Sequence, residues 1–233
     1  MRQDCFSLSY ILYDIALSDA KKRYRDHTYE FSGMVRFYHI HGALVCRITS
    51  KEADALRTHQ THIERIFADY LVFDVNRQVS EVFFDCLHRR SWTVSTAESV
   101  TGGLIASMIL EQPGASHIFH QGLITYSDQA KIDLLHVAKE TLDNFGVVSP
   151  ETALAMAVSL QRLTSSDITI ASTGYAGPEG GDDTHPVGTI YLGIAVENHS
   201  FVIHKVFTGT RNQIRLQASA HALLSVIHYL RKR

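Results

Sequence analysis

Three stretches of this 233-residue chain set reactive side chains beside glycine-rich backbone. In Ala97-Glu98-Ser99-Val100-Thr101-Gly102-Gly103-Leu104, an extended run passes through a Gly-Gly turn into a helix. Such a turn gathers unpaired backbone N–H groups at the positive end of the helix dipole, where phosphate binds or a developing oxyanion is stabilised. Ser99 stands at its mouth as a candidate nucleophile, with Thr101, Gly102 and Gly103 as candidate anion-binding residues. Ser99 or Thr101 could equally do no more than cap the helix. The second stretch, Gly122-Leu123-Ile124-Thr125-Tyr126-Ser127-Asp128-Gln129-Ala130-Lys131, ends a strand at Tyr126 and puts Lys131 one turn into the next segment. A serine hydroxyl is a weak nucleophile until a base takes its proton. A desolvated lysine with a lowered pKa can be that base, and a tyrosine can relay or orient the proton. A solvated surface lysine is the plainer alternative. No Ser-x-x-Lys spacing occurs, so a Ser99–Lys131 pair has to be assembled by the fold.

The third stretch is Thr173-Gly174-Tyr175-Ala176-Gly177-Pro178-Glu179-Gly180-Gly181, followed by His185-Pro186-Val187-Gly188-Thr189. It leaves the carboxyl end of a buried strand, where ligands of open α/β sheets bind. Successive amides in such a loop form anion nests, which makes Thr173, Gly174, Ala176, Gly177 and Gly188 candidate substrate contacts. A long hairpin connection is the competing reading. Neither the P-loop nor the dinucleotide spacing is met. Arg211 and Arg215 open the last helix and suit bidentate recognition of carboxylate or phosphate, unless they are merely an exposed pair. Histidine is abundant at 14 residues, and His59/His62 and His117/His120 stand three apart. No His-Glu-x-x-His or paired Cys-x-x-Cys accompanies them, so no metal site is expected.

These groups need elements to hold them. Hydrophobic residues make up 45% and charged residues 20%, which excludes wholesale disorder. A net charge of −2 gives no global basic field for nucleic acid, and no run of eighteen apolar residues predicts a membrane span. Three well-separated cysteines suit a reducing compartment, so a cytoplasmic location is expected. Twelve of the 14 glycines lie between Gly102 and Gly209, and all 4 prolines between Pro113 and Pro186. That asymmetry places the chemistry in the second part and a boundary near residue 80, around Asn76-Arg77-Gln78, giving domains 1–80 and 81–233. In the front module, residues 5–20 read as a helix, Met34–Ile48 as extended with a hairpin turn expected near His41-Gly42, and 51–69 as a helix: a small α+β segment without chemical spacing. Behind it, strands at Trp92–Ala97, Gly122–Tyr126, Ile168–Thr173, Val187–Val196 and Phe201–Phe207 interleave with helices at Leu104–Leu110, Ala130–Leu135, Glu151–Leu163 and Arg211–Leu230. Interleaving predicts a layered α/β sheet with a late antiparallel hairpin. The last helix reads as amphipathic, with Ile214, Ala218, Leu223, Val226 and Leu230 near one face.

Taken in order, the motifs resemble one family. Ala97–Gly103, Tyr126–Lys131, Gly146-Val147-Val148-Ser149-Pro150-Glu151-Thr152-Ala153, Thr173–Gly181, Pro186–Thr189 and Gly209-Thr210-Arg211-Asn212-Gln213-Ile214-Arg215 are similar to blocks of the C-terminal domain of the competence/damage-inducible CinA proteins, over roughly residues 80–233. That family includes the stand-alone bacterial nicotinamide mononucleotide deamidases. The resemblance implies a three-layer α/β/α sandwich with a mixed sheet, a homodimer, and conversion of nicotinamide mononucleotide and water to nicotinic acid mononucleotide and ammonia. It implies Ser99 as nucleophile, Lys131 as general base and Tyr126 as relay, with no cofactor. Departures lie at Val100, Tyr175 and His185, where the family commonly carries cysteine, a smaller aliphatic and lysine; these put substrate preference in question. A non-catalytic nucleotide-binding member, or an amidase for another small amide, remains open beside the deamidase. The front 80 residues do not resemble the large N-terminal domain of full-length CinA proteins.

Overall fold

The computed structural model describes residues 5–13, 15–27, 30–40, 43–74 and 77–233. It divides into two compact units, one reaching to Gln78 and the other running Val79–Leu230. In the first, the order is β1 (Phe6–Leu12), α1 (Leu17–His27), β2 (Gly33–Ile40), β3 (Ala43–Ser50), α2 (Ala53–Ile66) and β4 (Leu71–Asp74). The strands form one antiparallel sheet in the order β2-β3-β1-β4, the split βαβ arrangement of ferredoxin-like folds. Residues 5–20, expected as a helix, hold a strand instead. In FSLSYIL, Leu8, Tyr10 and Leu12 alternate onto the face that packs on Ala20, Leu56, Ile63 and Phe67, and this two-residue period fits only a pleated strand. Met34–Ile48 resolves into two antiparallel strands, Phe37 facing Cys46 in register; the expected turn at His41-Gly42 lies outside the described residues. Burial pushes the Cys46 thiol up to about 12, so it packs as a small apolar group. His59 and His62 are buried along α2, His59 stacked on Phe31 and bonded to the Tyr24 hydroxyl.

The second unit continues with α3 (Val79–His88), β5 (Val94–Glu98), α4 (Leu104–Leu110), β6 (Phe119–Ile124), α5 (Asp128–Leu135), α6 (Lys139–Phe145), α7 (Pro150–Thr164), β7 (Ile168–Gly174), β8 (Thr189–Val196), β9 (His199–Val206) and α8 (Arg211–Arg231). Its five-stranded sheet runs β6-β5-β7-β8-β9, with β6, β5 and β7 parallel and β8 and β9 antiparallel. This is a three-layer α/β/α sandwich. Ala97 and Ala171 face a core of Leu135, Leu142, Met156 and Leu160 from α5, α6 and α7, while the neighbouring Glu98 points to α4 on the opposite side. α7 starts where the sequence places it: Ser149 Oγ accepts from the Thr152 amide, and Pro150 occupies the first turn.

Two features differ from expectation. α6 goes unanticipated, its seven residues Lys139–Phe145 being too short to show a period. α8 is not one-faced: every residue from Ala218 to Ile227 is buried. Its apolar surface is used within the chain, so it supplies no free stripe for self-association. Among the described residues, no helix is long and apolar enough to cross a membrane.

Candidate active site

The parallel strands β6, β5 and β7 bring the three motifs to one sheet edge. Register pairs Glu98 with Ile124 on one side and Ser172 on the other. Each ladder runs one residue further: the Ser99 amide donates to the Ser172 carbonyl at 3.0 Å, and the Thr125 amide to the Glu98 carbonyl at 2.9 Å. Ser99, Thr125 and Thr173 therefore stand side by side where the strands end. Strand alternation puts them on the face of Ala97, the face against which α5 packs.

Lys131 rises from α5 on that same face. Its side chain is 2% exposed, and Nζ donates to the Tyr126 carbonyl at 3.4 Å, with Asp128 Oδ1 at 3.9 Å. Burial lowers its pKa, and the Asp128 carboxylate partly opposes that shift. The solvated-lysine alternative is thereby removed. Ser99 is nearly buried, and its hydroxyl has no protein partner among the described residues. Thus serine and lysine share one face without a hydrogen bond between them, an arrangement that commonly tightens only around substrate. The Thr125 hydroxyl, fully buried beside them, also lacks a protein partner among the described residues.

The Ser99 turn owes its shape to a residue that the motifs alone do not single out. Glu98 is buried, and its carboxylate accepts from the amides of Gly103 (2.8 Å), Ile105 (3.1 Å) and Ala106 (2.8 Å) and from the Thr101 hydroxyl (2.7 Å). It caps α4 from inside the sheet, so neither Ser99 nor Thr101 does so. Thr101 Oγ1 also meets Ser172 Oγ at 2.6 Å; with its own proton on the carboxylate, Thr101 accepts from Ser172. This corrects two candidate contacts: the Gly103 amide and the Thr101 hydroxyl are committed to Glu98. The amides of Val100, Thr101 and Gly102 remain, donating to no protein acceptor among the described residues. Along the chain Glu98 is only the carboxylate that closes the buried strand VSTAE; its capping role emerges when the fold lays α4 against the end of β5.

Arg215 is the second correction. Its Nε donates to the Val100 carbonyl at 3.2 Å and its Nη2 to the Thr101 carbonyl at 2.8 Å. The guanidinium thus grips the carbonyl side of the turn and leaves the amide side open, which makes Arg215 a positioning residue rather than a substrate contact. Gly102 accommodates it, with φ +57° and a would-be Cβ only 3.0 Å from Nη2. Arg211 behaves differently. Its Nη1 donates to the Gly177 carbonyl at 2.7 Å and its Nη2 to the Tyr126 hydroxyl at 3.2 Å, joining the glycine loop to the end of β6. Tyr126 is 63% exposed and meets Arg211 through its phenol, not Ser99 or Lys131; it touches the lysine through its backbone.

The glycine loop is more internally bonded than a nest requires. Thr173 Oγ1 donates to the Val147 carbonyl at 2.6 Å, which removes that hydroxyl from substrate contact. Gly174 ends β7, and the ladder goes on as the Tyr175 amide donates to Thr189 and the Gly188 amide to Tyr175. Gly188 serves close backbone approach: a Cβ there would sit 1.9 Å from the Phe207 carbonyl oxygen. Its role is structural too. Ala176 is buried, and the Gly177 carbonyl holds Arg211. Beyond them, the Asp182 carboxylate collects the amides of Thr184 and His185.

An α/β/α domain that lines up a serine turn, a desolvated lysine and an arginine-tied glycine loop on one sheet edge is thereby defined. A model of the CinA C-terminal domain matches residues 76–230. The chain belongs to the CinA C-terminal domain family. It is 38% identical over 197 residues to a competence-damage inducible protein of Caldanaerobacter subterraneus subsp. tengcongensis, covering 82% of this chain and 48% of that protein. A CinA-like protein of Petrotoga mobilis is 38% identical over 172 residues, covering 73% of this chain and 43% of its own length. The chain thus spans about half the length of the curated relatives it matches or less. The first match exceeds the roughly two thirds of the chain that come after Gln78, so it takes in part of the first unit. Among solved structures, the competence/damage inducible protein CihA of Agrobacterium tumefaciens superposes with a TM-score of 0.63 at 36% identity, covering 66% of this chain and 95% of that one. The competence or damage-inducible protein of Enterobacter asburiae gives 0.63 at 31% identity, covering 66% and 99%.

Proposed function

We propose that the second unit hydrolyses the carboxamide of nicotinamide mononucleotide, releasing ammonia and leaving nicotinic acid mononucleotide. The observation that carries this reading is Lys131, an amine buried on the sheet face that also bears Ser99. Burial favours the neutral form of this amine more than the exposed Asp128 carboxylate favours the charged one, so that it can accept a proton. Ser99 Oγ attacks the amide carbon as Lys131 Nζ takes its proton. The tetrahedral oxyanion receives the amides of Val100, Thr101 and Gly102, held outward by Arg215. The proton passes from Lys131 to the departing nitrogen, ammonia leaves, and water resolves the acyl-enzyme through the same base. Arg211 is suited to the substrate phosphate. The test is ammonia release from nicotinamide mononucleotide by the purified chain. Saturable binding without turnover across pH would favour a non-catalytic nucleotide-binding member instead.

The geometry carries two further expected outcomes. Because the base must be neutral, kcat/KM rises with pH along a limb centred below 10.5, the ordinary lysine value. Asp128 favours the protonated amine, so Asp128→Asn moves that limb to lower pH; a limb that stays in place would detach Lys131 from the proton transfer. Arg211→Ala should raise KM for the mononucleotide by about 10-fold while leaving KM for nicotinamide riboside nearly unchanged. Equal effects on both substrates would remove Arg211 from phosphate binding.

A further inference from the structure

Tyr126, which the family resemblance implies as proton relay, gives its phenol to Arg211 rather than to Ser99 or Lys131. Thr125, one residue earlier, stands where that phenol does not. Leu123 is level with Ala97 in the parallel ladder, and the bond from the Thr125 amide to the Glu98 carbonyl carries the ladder on. Two residues beyond that pair, Thr125 and Ser99 are therefore level on one face of strands about 4.8 Å apart. From the helix side, Leu135 shares a core cluster with Ala97, and Lys131 is one turn nearer the sheet edge. A helical turn advances about 5.4 Å and two strand residues about 6.6 Å, which brings Lys131 level with Ser99 and Thr125. Its Nζ reaches the Tyr126 carbonyl, the next along from Thr125, at 3.4 Å. Thr125 is fully buried, and among the described residues its hydroxyl has no partner. The other hydroxyls of this edge are engaged: Thr101 with Ser172, Thr173 with the Val147 carbonyl and Ser127 with the Ala130 amide. A buried hydroxyl left unpaired is costly, and this one stands beside a serine and a lysine that do not bond to each other.

We propose that Thr125 is the proton relay between Ser99 and Lys131. The inference takes nucleophile and base from the proposed hydrolysis but does not depend on which amide is bound. A hydroxyl accepts one hydrogen bond while donating another, so a single oxygen can bridge a donor and a base that do not meet. As Ser99 Oγ bonds to the amide carbon, the carbonyl pair moves onto its oxygen. The serine proton passes to Thr125 Oγ1 and the threonine's own proton to Lys131 Nζ, which becomes an ammonium. When the oxyanion collapses, the C–N pair goes to nitrogen and the chain runs in reverse. The ammonium returns a proton to Thr125 Oγ1, Thr125 hands its own to the departing nitrogen, and ammonia leaves with the amine neutral and the threonine unchanged.

Thr125→Val exchanges the hydroxyl for a methyl of nearly the same shape and removes an unpaired buried group, so its melting temperature should be no lower than that of the wild type. Its single-turnover rate on nicotinamide mononucleotide should fall by at least about 30-fold, while Thr125→Ser, which keeps a hydroxyl, stays within about 5-fold of wild type. Tyr126→Phe keeps the carbonyl that holds Lys131 and should remain at least about 5-fold faster than Thr125→Val. In mixtures of light and heavy water the wild-type rate should fall along a curve that requires two moving protons, and that of Thr125→Val along a straight line. Sulfonylation of Ser99 by phenylmethanesulfonyl fluoride, read by mass, separates the relay from the choice of substrate. It forms an O–S bond, expels fluoride and needs the same proton removed. Thr125→Val should slow it by at least about 10-fold; that result in a chain releasing no ammonia from nicotinamide mononucleotide would remove the proposed substrate and leave the relay standing. The relay is overturned if Thr125→Val stays within about 3-fold of wild type in either reaction, if Thr125→Ser is as impaired as Thr125→Val, or if Tyr126→Phe is the slower variant. A wild type that neither releases ammonia nor takes up the sulfonyl group overturns it as well.

Discussion

Ser99→Ala should lower kcat/KM for nicotinamide mononucleotide by at least about 10³-fold, because no other hydroxyl at this sheet edge can replace it. Thr101 is tied to Glu98 and Ser172, and Thr173 to Val147. Thr125 is β-branched and fully buried at the end of β6. Binding should survive, since the substitution removes one oxygen and leaves the amides of the turn in place. Nucleophile and base act as a unit, so Ser99→Ala/Lys131→Met should be no more impaired than Ser99→Ala alone. The measurement is ammonia release under single-turnover conditions. Activity within about 10-fold of wild type in the alanine variant would eliminate the acyl-enzyme route.

Glu98→Ala should destabilise the second unit by at least about 3 kcal/mol. It strands three amides that have no other acceptor among the described residues, while the Thr101 hydroxyl can still turn to Ser172 Oγ, and each buried donor left unmade costs about 1–3 kcal/mol. Glu98→Gln keeps the shape and one acceptor oxygen, so its loss should be smaller. Trp92, the only tryptophan, stands two residues before β5 and reports urea unfolding of this unit by fluorescence. A loss below about 1 kcal/mol would mean that the turn and α4 hold together without the carboxylate.

How much was legible in the sequence depends on where each contact originates. Local chemistry was readable: Ser149-Pro150 opens α7, glycine-bounded β-branched runs are strands, and the order of the motifs gives the three-layer domain. β1 reads as helical in sequence because Ile11 fills the gap between Tyr10 and Leu12, and Tyr13, Ile15 and Leu17 extend the run, which blurs a period of two into one compatible with a helix. The site was legible as a list of residues but not as roles. Arg211 and Arg215 are four apart and look equivalent, yet one ties the glycine loop and the other grips the carbonyls behind Ser99. Glu98 was invisible for a related reason: capping from inside a sheet depends on strand register, not on neighbours along the chain.

The carboxylate beneath α4 also decides which molecules linger at the serine. A helix start that already owns an anion has little attraction left for a second, so free sulfate or phosphate gains little by settling there. A neutral carboxamide meets no such objection. The acid into which it would be converted does, and under the proposed chemistry the built-in negative charge hastens that acid's departure.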